Sequence, residues 1–145
     1  MKVIIEQVKT FSLGLTQELN SLLIQLNPDS RTLLDEDVKE TIEESSNHLL
    51  VAKEPVNHKI VGMLTLIINR IPSWKKGWIE DVVVDKKYRN QGIATELITY
   101  AIENAKNNGA VSLNLTSRPE REDANKLYGK LGFKKRDTNV YRMEL

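Results

Sequence analysis

The stretch from Trp78 to Leu115 constrains the fold more than any other part of the chain. Trp78 to Val84 is an apolar, β-branched run that predicts a strand, and a helix is expected from about Gln91. Ile93, Leu97, Ile98, Ala101, Ile102 and Ala105 recur at helical spacing, and Asn107-Asn108-Gly109 stops the helix where a left-handed cap suits glycine. Val111 to Leu115 then predicts a second strand. A strand, a crossover helix and a strand in that order predict a parallel pair.

The remaining elements surround this unit. Val3 to Val8 predicts a strand, followed by a helix carrying Leu15, Leu19, Leu22, Leu23 and Leu26 on one face. Asn27-Pro28 ends that helix, because the residue before a proline avoids helical angles. A second helix is expected from about Leu34 to Glu44, with Asp35, Glu36 and Asp37 in its first turn, where carboxylates suit the helix dipole. His48 to Lys53 and Ile60 to Asn69 predict strands. Arg121 to Leu131 predicts a helix closed by Gly132, and short strands are expected around Phe133–Lys135 and Val140–Met143. The predicted order, β-α-α-β-β-β-α-β-α-β-β, is mixed α/β. With no repeat and no linker, residues 1–145 are expected to form a single domain.

Composition narrows the function. The chain has no cysteine, which excludes disulfides, thiolate metal sites and a cysteine nucleophile, and suits a reducing cytoplasm. No apolar run reaches the roughly 20 residues of a membrane span, and a basic-then-apolar signal is missing from the N-terminus. A cytoplasmic protein without membrane attachment is therefore expected. His48 and His58 have no partners at metal-ligand spacing, so they are expected to be structural, with no metal site. The formal charge of +1 conceals two unlike halves. Residues 1–72 carry seven Lys/Arg against ten Asp/Glu, and residues 73–145 carry fourteen against ten. Nucleic-acid binding by the basic half is not expected, since its charges lack interleaved stacking aromatics.

The chemistry centres on Ile79 to Ala94, a strand leading through a basic loop into the first turn of a helix. Free amides at a helix N-terminus, aligned with the dipole, form a site for phosphate. Gly92 lets a ligand approach the backbone, Ala94 keeps the next position small, and Arg89 adds a fixed positive charge. Neither the G-x-x-x-x-G-K-[ST] nor the G-x-G-x-x-G loop is present, so a diphosphate grip of another kind is expected. For Lys86, Lys87 and Arg89 taken alone, a solvated basic loop is the better reading; Gly92 and the helix start reverse it.

These residues resemble the GNAT superfamily of acetyl-CoA-dependent N-acetyltransferases. Arg89-x-x-Gly92-x-Ala94 is similar to the family's Arg/Gln-x-x-Gly-x-Gly/Ala loop, in the same strand-to-helix setting. Ala124-x-x-x-Tyr128-x-x-x-Gly132-Phe133 is similar to a second family block. The Ile79-to-Val84 strand also resembles that of glucosamine-6-phosphate N-acetyltransferases, a likeness too short to fix a substrate. The resemblance spans essentially the whole chain. It implies a mixed, mostly antiparallel central sheet flanked by helices, with a β-α-β cofactor-binding core.

It also implies residue roles. The amides of Asn90, Gln91, Gly92, Ile93, Ala94 and Thr95 would hold the pyrophosphate of acetyl-CoA, together with Arg89. The strand Val82-Val83-Val84 would pair with the pantetheine arm through the backbone of Val82 and Val84, like an added strand. Tyr128 would bind near the sulfur and protonate the leaving thiolate. Many members carry an asparagine seven residues before that tyrosine; here Arg121 stands there and Asn125 lies three before it, so Asn125 is the candidate for that contact. The acceptor amine needs a base. Glu80 and Asp81 are adjacent on a strand and so expected on opposite faces, and Glu80, sharing parity with Val82 and Val84, is the candidate.

The implied activity is transfer of the acetyl group from acetyl-CoA to a primary amine by direct attack in a ternary complex. The alternative is a non-catalytic acyl-CoA-binding sensor. The acceptor's identity lies beyond the sequence, and a homodimer is compatible with it.

Overall fold

The computed structural model describes residues 2–145. The chain order is β1 (Ile4–Gln7), α1 (Leu15–Leu26), α2 (Asp35–Glu43), β2 (Asn47–Lys53), β3 (Ile60–Arg70), β4 (Lys75–Val84), a 3-10 turn (Lys86–Tyr88), α3 (Ile93–Asn107), β5 (Leu113–Asn114) and α4 (Glu122–Lys130). Met1–Leu115 and Thr116–Leu145 form two compact units.

The first unit is built on a five-stranded sheet in the order β1-β2-β3-β4-β5. Its first three pairings are antiparallel and the β4–β5 pairing is parallel, as the β-α-β run requires. Strand alternation divides the core. Leu49 and Val51 of β2, Met63 of β3 and Val83 of β4 pack with Leu15, Leu19 and Leu22 of α1 and Val38 of α2. Leu50, Ala52, Leu64 and Leu66 have the opposite parity and are fully buried, as are Leu97, Ile98 and Ala101 of α3. Gly62 sits where these layers meet. A Cβ there would lie 3.0 Å from the Leu97 side chain and 3.4 Å from that of Ile93, so the missing side chain sets how closely α3 approaches the sheet.

Local chemistry explains the helix ends. Asn27 takes an extended conformation before Pro28 and ends α1. Asp37 accepts the Leu34 amide at 2.7 Å at the start of α2 and pairs with Arg31 at 3.0 Å. These contacts hold the Asp37 carboxyl below the usual carboxylate range. The Ala105 carbonyl accepts from the Ala110 amide beyond the left-handed Gly109, a cap that ends α3.

Three expectations are corrected. α3 starts at Ile93 instead of Gln91, because Asn90 and Gly92 are left-handed, at φ 63° and 79°. β5 is only two residues long, with Val111 exposed. The two terminal strands expected around residues 133–135 and 140–143 do not form. Val140, Tyr141 and Met143 stay 76%, 88% and 81% exposed, and without a sheet face to bury, so short a hairpin has too little to stabilise it. The second unit contains α4, closed by Gly132 at φ 99°.

Candidate active site

β4 does not alternate regularly. Its partners in β3 run Ile79↔Leu66, Glu80↔Thr65, then Val83↔Met63 and Val84↔Gly62, so Asp81 and Val82 together stand opposite Leu64. Asp81 is left-handed at φ 53°, which marks this as a β-bulge. The bulge overturns the simple parity expected for Glu80. The register puts Glu80 on the same face as Val83, toward the layer of α1 and α2, and not with Val84. More than a third of Asp81 faces solvent, yet its carboxyl is partly desolvated, and that burial pushes it above the usual carboxylate range.

Beyond the bulge, β4 has a free side. Among the described residues, β5 pairs only with Gly77 and Trp78, leaving Val82–Val84 without a strand on that edge within this unit. The Asp85 amide donates to Val61 O at 2.8 Å, so antiparallel alternation turns the polar groups of Val84 toward the free edge. There the Val84 carbonyl accepts Arg89 Nε at 3.0 Å. Arg89, expected to act as a phosphate cation, is thus also a strut holding the loop to the strand end.

The loop itself is tightly specified. Asp85 accepts the Lys87 amide at 3.0 Å, and the Lys86 amide donates to Gln25 of α1 at 2.9 Å. The left-handed pair Asn90 and Gly92 then turns the chain into α3. The first helical bond runs from the Glu96 amide to Gly92 O at 3.0 Å. Among the described residues, the amides of Asn90, Gln91, Gly92, Ile93, Ala94 and Thr95 donate to no protein acceptor. A Cβ at Gly92 would meet nothing within 4 Å, so the space above the backbone is open. Free donors at a dipole's positive end, beneath open space, fit a polyanionic group such as a diphosphate.

Tyr128 and Asn125 lie in the second unit. Tyr128 is buried, with its ring edge-on to Phe133 at 5.9 Å, and the Phe133 amide donates to Tyr128 O at 3.0 Å. The Tyr128 hydroxyl makes no hydrogen bond to the described chain. Burial pushes its pKa up, partly opposed by the Arg121 guanidinium, so it stays a proton-bearing phenol at neutral pH. Asn125 donates to Arg118 O at 3.0 Å, a bond that braces the entry to α4.

Sequence reasoning missed the bulge at Asp81 and the bracing role of Asp85. Only the second had a local signal, an aspartate at a strand end whose carboxylate can accept the amide two residues on. Among the described residues, no group of three His, Cys, Asp or Glu is placed to hold a metal ion, and no helix is long and apolar enough to cross a membrane.

Residues 16–133 match the family model described as Acetyltransferase (GNAT) family. The chain is 41% identical over 75 residues to N-alpha-acetyltransferase MAK3 of Arabidopsis thaliana, covering 52% of this chain and 40% of that protein. Among solved structures, a transcriptional regulator from Bacillus halodurans C-125 superposes with a TM-score of 0.86 at 26% identity, covering 99% of this chain and 100% of that one. AAC(6')-Iy, in complex with the bisubstrate analogue CoA-S-monomethyl-acetylneamine, superposes at 0.80 with 17% identity, over 100% of this chain and 99% of that one. The mixed α/β fold with helices on both faces of the sheet is the fold these structures share. The chain belongs to the GNAT acetyltransferase family, and its curated relatives include N-acetyltransferases. It spans 40% or less of the length of the first of those relatives.

Proposed function

We propose that residues 1–145 act as one N-acetyltransferase domain that moves the acetyl group of acetyl-CoA to a primary amine within a ternary complex. The observation that carries this reading is the row of unpartnered amides from Asn90 to Thr95, opening at Gly92 beside the free edge of β4. Those amides, with the terminal nitrogens of Arg89, would hold the pyrophosphate. Val82 to Val84 would pair with the pantetheine arm along the free edge. Acetyl-CoA supplies an activated acyl group; positioning and proton handling fall to the chain.

Glu80 is the candidate base. It would take the proton from the ammonium form of the acceptor, directly or through water, freeing the nitrogen lone pair to form the new C–N bond as the C–S bond breaks. The phenol of Tyr128 would donate its proton to the departing sulfur and regain one, through water, from the nitrogen as it sheds its second proton on forming the amide; burial supports this by keeping the hydroxyl protonated. Asn125 is the candidate for a further cofactor contact.

The deciding measurement is release of free thiol from acetyl-CoA across a panel of small amines, amino sugars, polyamines and peptide N-termini. Acceptor-dependent release with a matching N-acetylated product supports the proposal. Stabilisation by CoA with no release on any acceptor would replace it with a binding role.

A further inference from the structure

The β4–α3 connection holds a charge that a phosphate site should avoid. Asp85, only 8% exposed, is followed along the loop by Lys86, Lys87 and Arg89 and is met by Lys59 from outside the loop. All of its polar groups are engaged. Its amide donates to Val61 O and its carbonyl accepts from the Tyr88 amide, both at 2.8 Å. One carboxylate oxygen accepts the Lys87 amide at 3.0 Å, and the other lies 3.8 Å from Lys59 Nζ. Asp85 therefore fixes the turn that launches the loop.

Lys59 reaches this carboxylate from the hairpin between β2 and β3, and that hairpin is itself braced. The Glu54 amide donates to Lys59 O at 2.9 Å, and the Lys59 amide donates to the Asn57 side chain at 2.9 Å. The ammonium also stands 5.8 Å from the ring centre of Tyr88 in the 3-10 turn. Lys59 thus contacts both the carboxylate and the aromatic residue of the turn, with a distance too long for a hydrogen bond to Asp85. Its contribution there is charge.

Resting on the reading of this loop as the CoA grip, we infer that Lys59 and Asp85 form a positioning pair for phosphate binding. Asp85 holds the turn through two backbone amides and needs only an acceptor oxygen to do so. Its negative charge opposes an incoming polyanion, and Lys59 cancels that charge while leaving the hydrogen bonds intact. The loop then presents an uncompensated positive field from Arg89 and the helix amides.

The test is calorimetric titration of the full chain with CoA, at about 20 mM and about 300 mM salt, where screening lengths differ several-fold. Lys59→Met is expected to weaken CoA binding about 5–10-fold at low salt, with most of the loss gone at high salt. Lys59→Arg should remain within about twofold of the parent, because it keeps the charge. Asp85→Asn retains the acceptor for the Lys87 amide and removes the charge, so placing it in the Lys59→Met chain should recover most of the lost affinity. A Lys59→Met protein that binds CoA like the parent overturns the inference. So does a loss that is indifferent to salt or not recovered by Asp85→Asn, since a merely structural contact would behave that way. A parent protein that binds no CoA overturns the underlying reading of the loop, and is distinguished by failing before any substitution is made.

Discussion

Gly92→Val separates the conformational role of this residue from its role at the ligand. Gly92 is left-handed at φ 79°, and a Cβ built there meets no atom within 4 Å. The cost to the unliganded protein is therefore backbone conformation alone, about 1–2 kcal/mol for an L-residue with a side chain. In a chain of this size that lowers the melting temperature by about 2–8 °C. The cost to binding is larger. Valine fills the opening above the free amides and draws the turn away from left-handed geometry, removing charge-assisted hydrogen bonds worth about 1.5–3 kcal/mol each. Loss of two of them weakens CoA binding by about 10²-fold or more. Thermal melting without ligand and calorimetric titration with CoA measure the two effects separately. Binding within threefold of the parent, alongside the expected drop in melting temperature, would refute the grip.

Four further outcomes are expected. Tyr128→Phe should lower turnover by about 10²-fold with a smaller effect on CoA affinity. Its melting temperature should hardly change, because the hydroxyl has no hydrogen bond among the described residues to lose; full activity across the pH range would remove Tyr128 as the acid. Glu80→Gln should also reduce turnover by about 10²-fold, with little change in the KM for acetyl-CoA, and unchanged turnover would place the base elsewhere. Asp81→Asn tests the bulge through pH. Burial raises the folded-state pKa of Asp81, so its stabilising contribution is present below the ordinary carboxylate range and lost as pH rises through the raised value. The Asn variant, which also tolerates the left-handed conformation, should melt higher than the parent at pH 7, with the gap closing in acid; a variant less stable at pH 7 contradicts this. Gly62→Ala should cost about 1–3 kcal/mol by overpacking, since the new methyl lies 3.0 Å from the fully buried Leu97. A neutral denaturant midpoint would show that α3 can shift without penalty.

Much of this protein was legible in its sequence, because the signals were local. The apolar period of α3, the stop at Gly109 and the flanking strands specify a parallel pair, and β4 and β5 form it. The run Arg89-Asn90-Gln91-Gly92-Ile93-Ala94 marks a turn entering a helix, and asparagine and glycine are residues that tolerate the left-handed geometry found at Asn90 and Gly92. Two expected features were decided elsewhere. The terminal strands had the right residues, but pairing needs a partner edge, and alternation within one segment cannot supply it. The face of Glu80 was misjudged because strand parity assumes unbroken register. The bulge at Asp81 and Val82 arises from how β4 meets Leu64 on its neighbour, a relation between residues far apart in sequence. The position of Lys59 beside Asp85 is of the same kind, since they stand 26 positions apart in the chain and only the folded hairpin brings them to 3.8 Å. The sequence determines which local conformations are available and which chemical groups the site can draw upon. Tertiary structure decides which face each group presents and which charges meet, because those depend on register and packing between distant strands.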